Sequence, residues 1–168
     1  MNKEVISDCL EKDGMGAEEL LKAKIPAEMF DHPSSLKYAL KQFEADEHYL
    51  PWAARAIILP EENQMVGLVR FHSQPNPEYL KEYANNAVEL GYRIFEDYRK
   101  KGYATEAVIA VVNWAKATFG VLNFIASVSP DNEDSLKLIS GLGFIKIGEA
   151  MDEVDGLEYV FLKNVTDD

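Results

Sequence analysis

Ala104, Ala107, Val108, Val111, Val112, Ala115 and Phe119 recur at spacings of three and four, the pattern of a helix with one continuous apolar face. An apolar run, Ala87 to Phe95, ends shortly before it, and a second, Val121 to Val128, begins just after it. Strand, helix, strand in that order is the connection that joins two parallel strands of one sheet.

The rest of the chain extends that sheet. Ala53 to Leu59 and Met65 to Phe71 are apolar runs around Pro60-Glu61-Glu62-Asn63, which predicts an antiparallel hairpin. Asn132 to Leu142 reads as a further helix, and Phe144 to Gly148 and Glu158 to Leu162 as closing strands. Upstream, the weak alternation of Glu4 to Leu10 predicts a first strand, Ala17 to Lys24 a short helix stopped by Pro26, and Ser34 to Asp46 an amphipathic helix on Leu36, Ala39, Leu40 and Phe43. Gln74-Pro75-Asn76-Pro77 and the polar residues to Asn86 form a loop. Strands first, then β-α-β-α-β-β, is the order of a mixed sheet with helices on its faces. A chain of 168 residues fits one domain.

Composition narrows the partners. With 47% apolar and 27% charged residues the chain can bury a core. Asp and Glu number 29 against 17 Lys and Arg, a formal charge of −12, so the surface as a whole repels a phosphodiester backbone and an anionic membrane. We therefore expect neither nucleic acid nor membrane as a partner. Met1 to Gly14 lacks the apolar run of a signal peptide, and the expected location is the cytoplasm. Cys9 has no second cysteine to pair with, and His32, His48 and His72 are scattered, so no metal site is expected.

Three short segments carry chemistry. Arg99-Lys100-Lys101-Gly102-Tyr103-Ala104 stands between a strand and the strongest helix. A helix start presents unpaired N–H groups and the positive end of the dipole, Gly102 has no Cβ to block a bulky anion, and Ala104 keeps the next turn slim. Three cations gathered there make this turn an exception on an acidic protein, suited to a pyrophosphate. It is not a P-loop, since GxxxxGK[ST] is absent and Gly102 lacks the partners of GxGxxG. In Ser129-Pro130-Asp131-Asn132-Glu133-Asp134-Ser135, Asp131 or Asn132 can cap the next helix, or Asn132 and Ser135 can bind an extended ligand at the mouth between parallel strands. In Ala87-Val88-Glu89-Leu90-Gly91-Tyr92 a carboxylate interrupts an apolar strand, where it requires solvent, a partner or a task.

These segments, in this order over roughly Pro51 to Leu162, resemble the GNAT acetyltransferase superfamily. Arg99-x-x-Gly102-x-Ala104 is similar to its coenzyme-A pyrophosphate loop, Arg/Gln-x-x-Gly-x-Gly/Ala. Glu89-Leu90-Gly91-Tyr92 and Leu142-Gly143-Phe144 resemble the branch that includes ribosomal-protein N-terminal acetyltransferases. The resemblance implies an α/β (α+β) fold with a mixed, mostly antiparallel central sheet, a splayed pair of parallel strands and helices on both faces. Residues 1–50 would form the acceptor side and 51–163 the sheet and acetyl-CoA-binding core. The N-terminal third lacks the Arg-Leu-x-Leu-Arg opening of that branch, and the acceptor would depend on Pro26 to Tyr49 and Phe71 to Asn86.

The same resemblance implies acetyl-CoA as co-substrate and no metal. Its pyrophosphate would lie on the amides of Lys100, Lys101, Gly102, Tyr103, Ala104 and Thr105, with charge from Arg99. Asn132 and Ser135 would hold the pantetheine arm, and the Leu90 N–H would face the oxyanion. An alkylammonium of pKa about 10.4 must lose a proton before it attacks the thioester. Glu89 is the candidate base, since desolvation in a strand favours a carboxyl that accepts protons near neutral pH; the competing reading has it orient the acceptor or pair with Arg93 on the same strand face. The tyrosine that many members use to protonate the thiolate is matched by Ile139, with Ser140 and Tyr103 as neighbouring substitutes. The acceptor would be an amine or peptide N-terminus, and Glu44, Asp46, Glu47, Glu82 and Glu89 would favour a cationic one. Monomer and homodimer both stay open, as does a non-catalytic, regulatory acyl-CoA-binding domain.

Overall fold

The computed structural model describes residues 1–11, 14–31, 33–46, 48–152 and 156–166. His32, Glu47 and Asp13 therefore lie outside the described residues. The chain divides into two compact units, Met1–Ser73 with Tyr92–Ala107, and Gln74–Gly91 with Val108–Asp168. Four helices open the chain, α1 (Lys3–Glu11), α2 (Met15–Leu21), α3 (Glu28–Asp31) and α4 (Ser34–Ala45), and the hairpin β1 (Arg55–Leu59) and β2 (Gln64–Phe71) follows. Then come β3 (Ala87–Ile94), α5 (Tyr103–Phe119), β4 (Asn123–Val128), α6 (Glu133–Gly141), β5 (Ile145–Asp152) and β6 (Gly156–Asn164). The strands form a six-stranded sheet in the order β1-β2-β3-β4-β6-β5, mostly antiparallel, with β3 and β4 as its parallel pair.

The expected first strand over Glu4 to Leu10 is a helix. Val5, Ile6 and Cys9 are its buried residues, a helical rather than a two-residue spacing. The Asn2 carboxamide accepts the Val5 N–H at 3.0 Å, satisfying one of the donors that a helix start exposes. The Asp8 carboxylate then accepts the Ala17 N–H at 2.7 Å and ties α1 to α2.

In the first unit, β1 and β2 pair from Arg55↔Val69 to Leu59↔Gln64, with a register shift between Ile57 and Ile58. Gly67 marks where β2 passes the end of β3. A Cβ built on it would come within 2.3 Å of the Arg93 carbonyl oxygen, so any side chain there would push two backbones apart. Phe95 N–H donates to Val66 C=O at 2.9 Å beside that approach.

In the second unit, β4 pairs antiparallel with β6, and β6 with β5. Leu80, Ala87, Ile125 and Val160 form a buried cluster, with Tyr83, Ala84, Ala150 and Leu162 packed against it. Val108, Val111, Val112 and Ala115 are the buried stripe of α5, and each valine contributes about 1.5 to 3 kcal/mol when fully buried. No helix among the described residues is long and apolar enough to cross a membrane.

Candidate functional site

The loop before α5 is built in the first unit. Glu96–Tyr98 form a single 3-10 turn, Lys100 takes φ +60° and Gly102 φ +88°. Left-handed residues are a component of the backbone nests that bind anions. A Cβ on Gly102 would meet nothing within 4 Å, so the glycine is required by its φ, and the space it faces is open. The first α5 bond runs from Glu106 N–H to Gly102 C=O at 3.1 Å; the amides of Tyr103, Ala104 and Thr105 precede that ladder. Open space before Gly102 and a helix start are compatible with a diphosphate.

The cations of the loop are mostly committed to holding its shape. Arg99 Nε donates to Ile94 C=O at 3.1 Å, and Lys101 Nζ donates to Asp97 C=O at 3.0 Å, with the Tyr98 ring 5.3 Å away. Sequence reasoning missed the anchor of this turn, Glu28 on α3. Its Oε2 accepts the Glu96 N–H at 2.7 Å, its Oε1 accepts from Arg93 Nη2 at 2.9 Å, and Arg99 Nη2 stands 3.8 Å from the same oxygen. Burial pushes the Glu28 carboxyl up, but the Glu96 amide, Arg93 and Arg99 together hold it below the ordinary value. Arg93, which the competing reading paired with Glu89, forms an ion pair with Glu28. No local signal joins residues so distant in sequence.

Glu89 belongs to the second unit, where it is the charged residue of the buried set at 7% exposure. Its Oε1 accepts a hydrogen bond from Ser127 Oγ at 2.6 Å. Ser127 carried no motif, yet Glu89↔Ile125 is a register pair, and a residue two positions on in β4 returns to the same face of the sheet. That pair is also the last of the β3–β4 ladder, although β3 runs on to Ile94 and β4 to Val128. The parallel strands thus part just past the carboxylate, and Leu90, buried, is the first residue of β3 beyond the pairing.

Asn132 takes the capping role. Its Oδ1 accepts the Ser135 N–H at 3.2 Å at the start of α6, which leaves its Nδ2 as the side-chain donor for a ligand. Ile139 is fully buried in the core and supplies no acid, while Ser140 is exposed and Tyr103 half-buried. Among the described residues no group of three His, Cys, Asp or Glu could hold a metal ion.

Comparison with known proteins places these parts in one family. Residues 17–145 match the family described as "Acetyltransferase (GNAT) domain". The sequence is 28% identical over 93 residues to the uncharacterized N-acetyltransferase p20 of Bacillus licheniformis, covering 55% of this chain and 48% of that protein. It is 29% identical over 93 residues to the ribosomal protein uS5-alanine N-acetyltransferase of Escherichia coli (strain K12), covering 55% and 45%. The matches thus span about half the length of these curated relatives. The crystal structure of a ribosomal-protein-S5-alanine acetyltransferase from Vibrio fischeri superposes with a TM-score of 0.65 at 20% identity, over 98% of this chain and 90% of that one. The chain belongs to the GNAT acetyltransferase family.

Proposed function

We propose that the protein is an N-acetyltransferase that moves the acetyl group of acetyl-CoA to a primary amine, either of a small molecule or of a peptide N-terminus. The observation that carries this reading is the loop from Arg99 to Thr105, with Lys100 and Gly102 left-handed and open space before Gly102. Its amides receive the pyrophosphate, and Arg99 braces the turn more than it binds the ligand. Asn132 Nδ2 and Ser135 hold the pantetheine arm.

The amine attacks the thioester carbonyl directly, the N–C bond forms, and the C–S bond breaks to release the thiolate. Glu89 takes the ammonium proton, directly or through a water, and the Ser127 hydrogen bond fixes the carboxylate for that transfer. The Leu90 N–H lies where β3 leaves the ladder and stabilises the oxyanion. A thiol of pKa about 8.5 leaves as thiolate near neutral pH without a dedicated acid.

One observation favours a second reading, coenzyme-A binding without transfer: Ile139 is fully buried where many family members carry the acid. Thiol release from acetyl-CoA across a panel of amines and peptides, paired with thermal shift by coenzyme A, separates the two. Release with any acceptor supports transfer, and a shift with no release from the whole panel supports binding alone.

A further inference from the structure

β5 is the outer strand of the second unit. Among the described residues it pairs with β6 and stands at the end of the strand order. Such an edge presents backbone N–H and C=O groups that template a further strand. This one also leaves apolar surface in water: Ile145 is 70% exposed, Ile147 42% and Met151 75%, and Leu157 on β6 is 40% exposed. A long apolar edge is what soluble proteins avoid unless a partner uses it.

Proteins commonly blunt an edge with a lysine, and Lys146 stands on this one. Its effect is different here, because Glu149 shares its face of the sheet. Lys146 is in register with Phe161 and Glu149 with Tyr159, residues two apart on β6 whose side chains point the same way. The register shift between Lys146 and Gly148 brings this about, since it adds one residue, Ile147, to β5. Lys146 Nζ lies 2.8 Å from Glu149 Oε1 and 3.2 Å from the centroid of the Tyr159 ring.

That arrangement is complementary to itself. Consider a second β5 laid antiparallel about a two-fold axis that pierces the sheet at Gly148. Lys146 then falls opposite Glu149 of the copy, Glu149 opposite its Lys146, Gly148 opposite Gly148, and Ile145 opposite Ala150. Opposite charges facing across strands are stabilising and like charges are not. An axis at Lys146 or at Glu149 would set identical charges face to face, so charge selects the register as well as the partner. We propose that this edge pairs with the same edge of a second copy, joining two protomers β5 to β5 in one continuous sheet. The pairing satisfies the free edge and takes Ile145 partly out of water against Ala150 of the copy. It does not depend on the acetyl-transfer reading.

Sedimentation velocity over a dilution series tests it with wild type, Lys146→Glu, Glu149→Lys and an equimolar mixture of the two variants. At about 0.15 M salt the Debye length is about 8 Å, which screens most of the repulsion between copies of net charge −12. Wild type passes from monomer to dimer as concentration rises. By symmetry each substitution makes both cross-strand pairs repulsive, and the dimer Kd rises roughly tenfold or more. The mixture places opposite charges at both pairs again and dimerises like wild type, a rescue that a folding defect cannot give. Variants that dimerise as tightly as wild type, or a mixture no better than its components, overturn the proposal. Wild type that stays monomeric at every concentration overturns it too, and leaves the edge to a strand from another protein.

Hydrogen exchange needs no variant. In wild type the amides of Ile145–Asp152 gain protection as concentration rises through dimerisation. A dimer that leaves those amides unchanged is joined elsewhere and overturns the assignment.

Discussion

Ser127 Oγ donates to Glu89 Oε1 at 2.6 Å, joining β4 to β3 at the last residue of β3 that pairs with β4. A serine hydroxyl in that position fixes the direction of the carboxylate. Glu89→Gln keeps the shape and removes the proposed base, so kcat at neutral pH should fall by roughly 10² to 10⁴ while coenzyme-A affinity holds. Ser127→Ala should cost about tenfold in kcat, or about 1.4 kcal/mol. Steady-state kinetics beside coenzyme-A titrations check both, and normal turnover in Glu89→Gln would remove this residue from the mechanism.

Gly102 should separate conformation from charge. Gly102→Ala meets no neighbour but must keep φ near +88°, a cost of about 1 to 2 kcal/mol, and weakens coenzyme-A binding moderately. Gly102→Glu adds a carboxylate beside the amides and abolishes binding. Thermal shift reads the difference: coenzyme A at 100 times its Kd stabilises wild type by about 2.7 kcal/mol, and Gly102→Glu should show none of it.

Glu28 is held below its ordinary pKa of 4.5 in the folded state. A carboxyl depressed in this way contributes stability that is fully present above the unfolded value and is lost as pH falls through the folded value. Melting curves of wild type and Glu28→Gln should thus differ most at pH 6 to 7 and converge in acid. At neutral pH the removal costs about 2 kcal/mol, and coenzyme-A affinity falls with it because the Glu96 amide loses its acceptor. A gap that widens toward low pH would contradict the assignment.

Burial pushes the Cys9 thiol up to about 11, and Asp8 adds to the effect. At pH 8 about one thiol in a thousand is then ionised, so alkylation by iodoacetamide should be very slow in the native protein and fast in urea. Rapid labelling of native protein, followed by mass spectrometry, would show that α1 opens readily.

Much of the fold was legible because its signals are local. The α5 stripe, the Pro60 to Asn63 turn and the Arg99 to Ala104 segment each declare themselves within a few residues. The first helix was misread because Glu4 to Leu10 is short and polar enough to suit either period, and the Asn2 cap that decides it acts through one side-chain oxygen. At the candidate site, Glu89 stood out as a charge in an apolar strand, whereas Ser127 becomes meaningful only once the β3–β4 register is known. Glu28 was invisible for a related reason. Its role depends on which residues lie beside it, and those lie far away in sequence: 68 positions separate Glu28 from the Glu96 amide.

That separation bears on attempts to re-engineer the protein. Exchanging the N-terminal segment for one from a relative with another acceptor looks like a clean graft, since the coenzyme motif begins only at Arg99. With Glu28 removed, Arg93, Arg99 and the Glu96 amide lose their common acceptor, and a chimera chosen for a new amine would also bind its acetyl donor less well. A graft that retains a glutamate at this position, or supplies another carboxylate to the same three donors, should change selectivity without that loss.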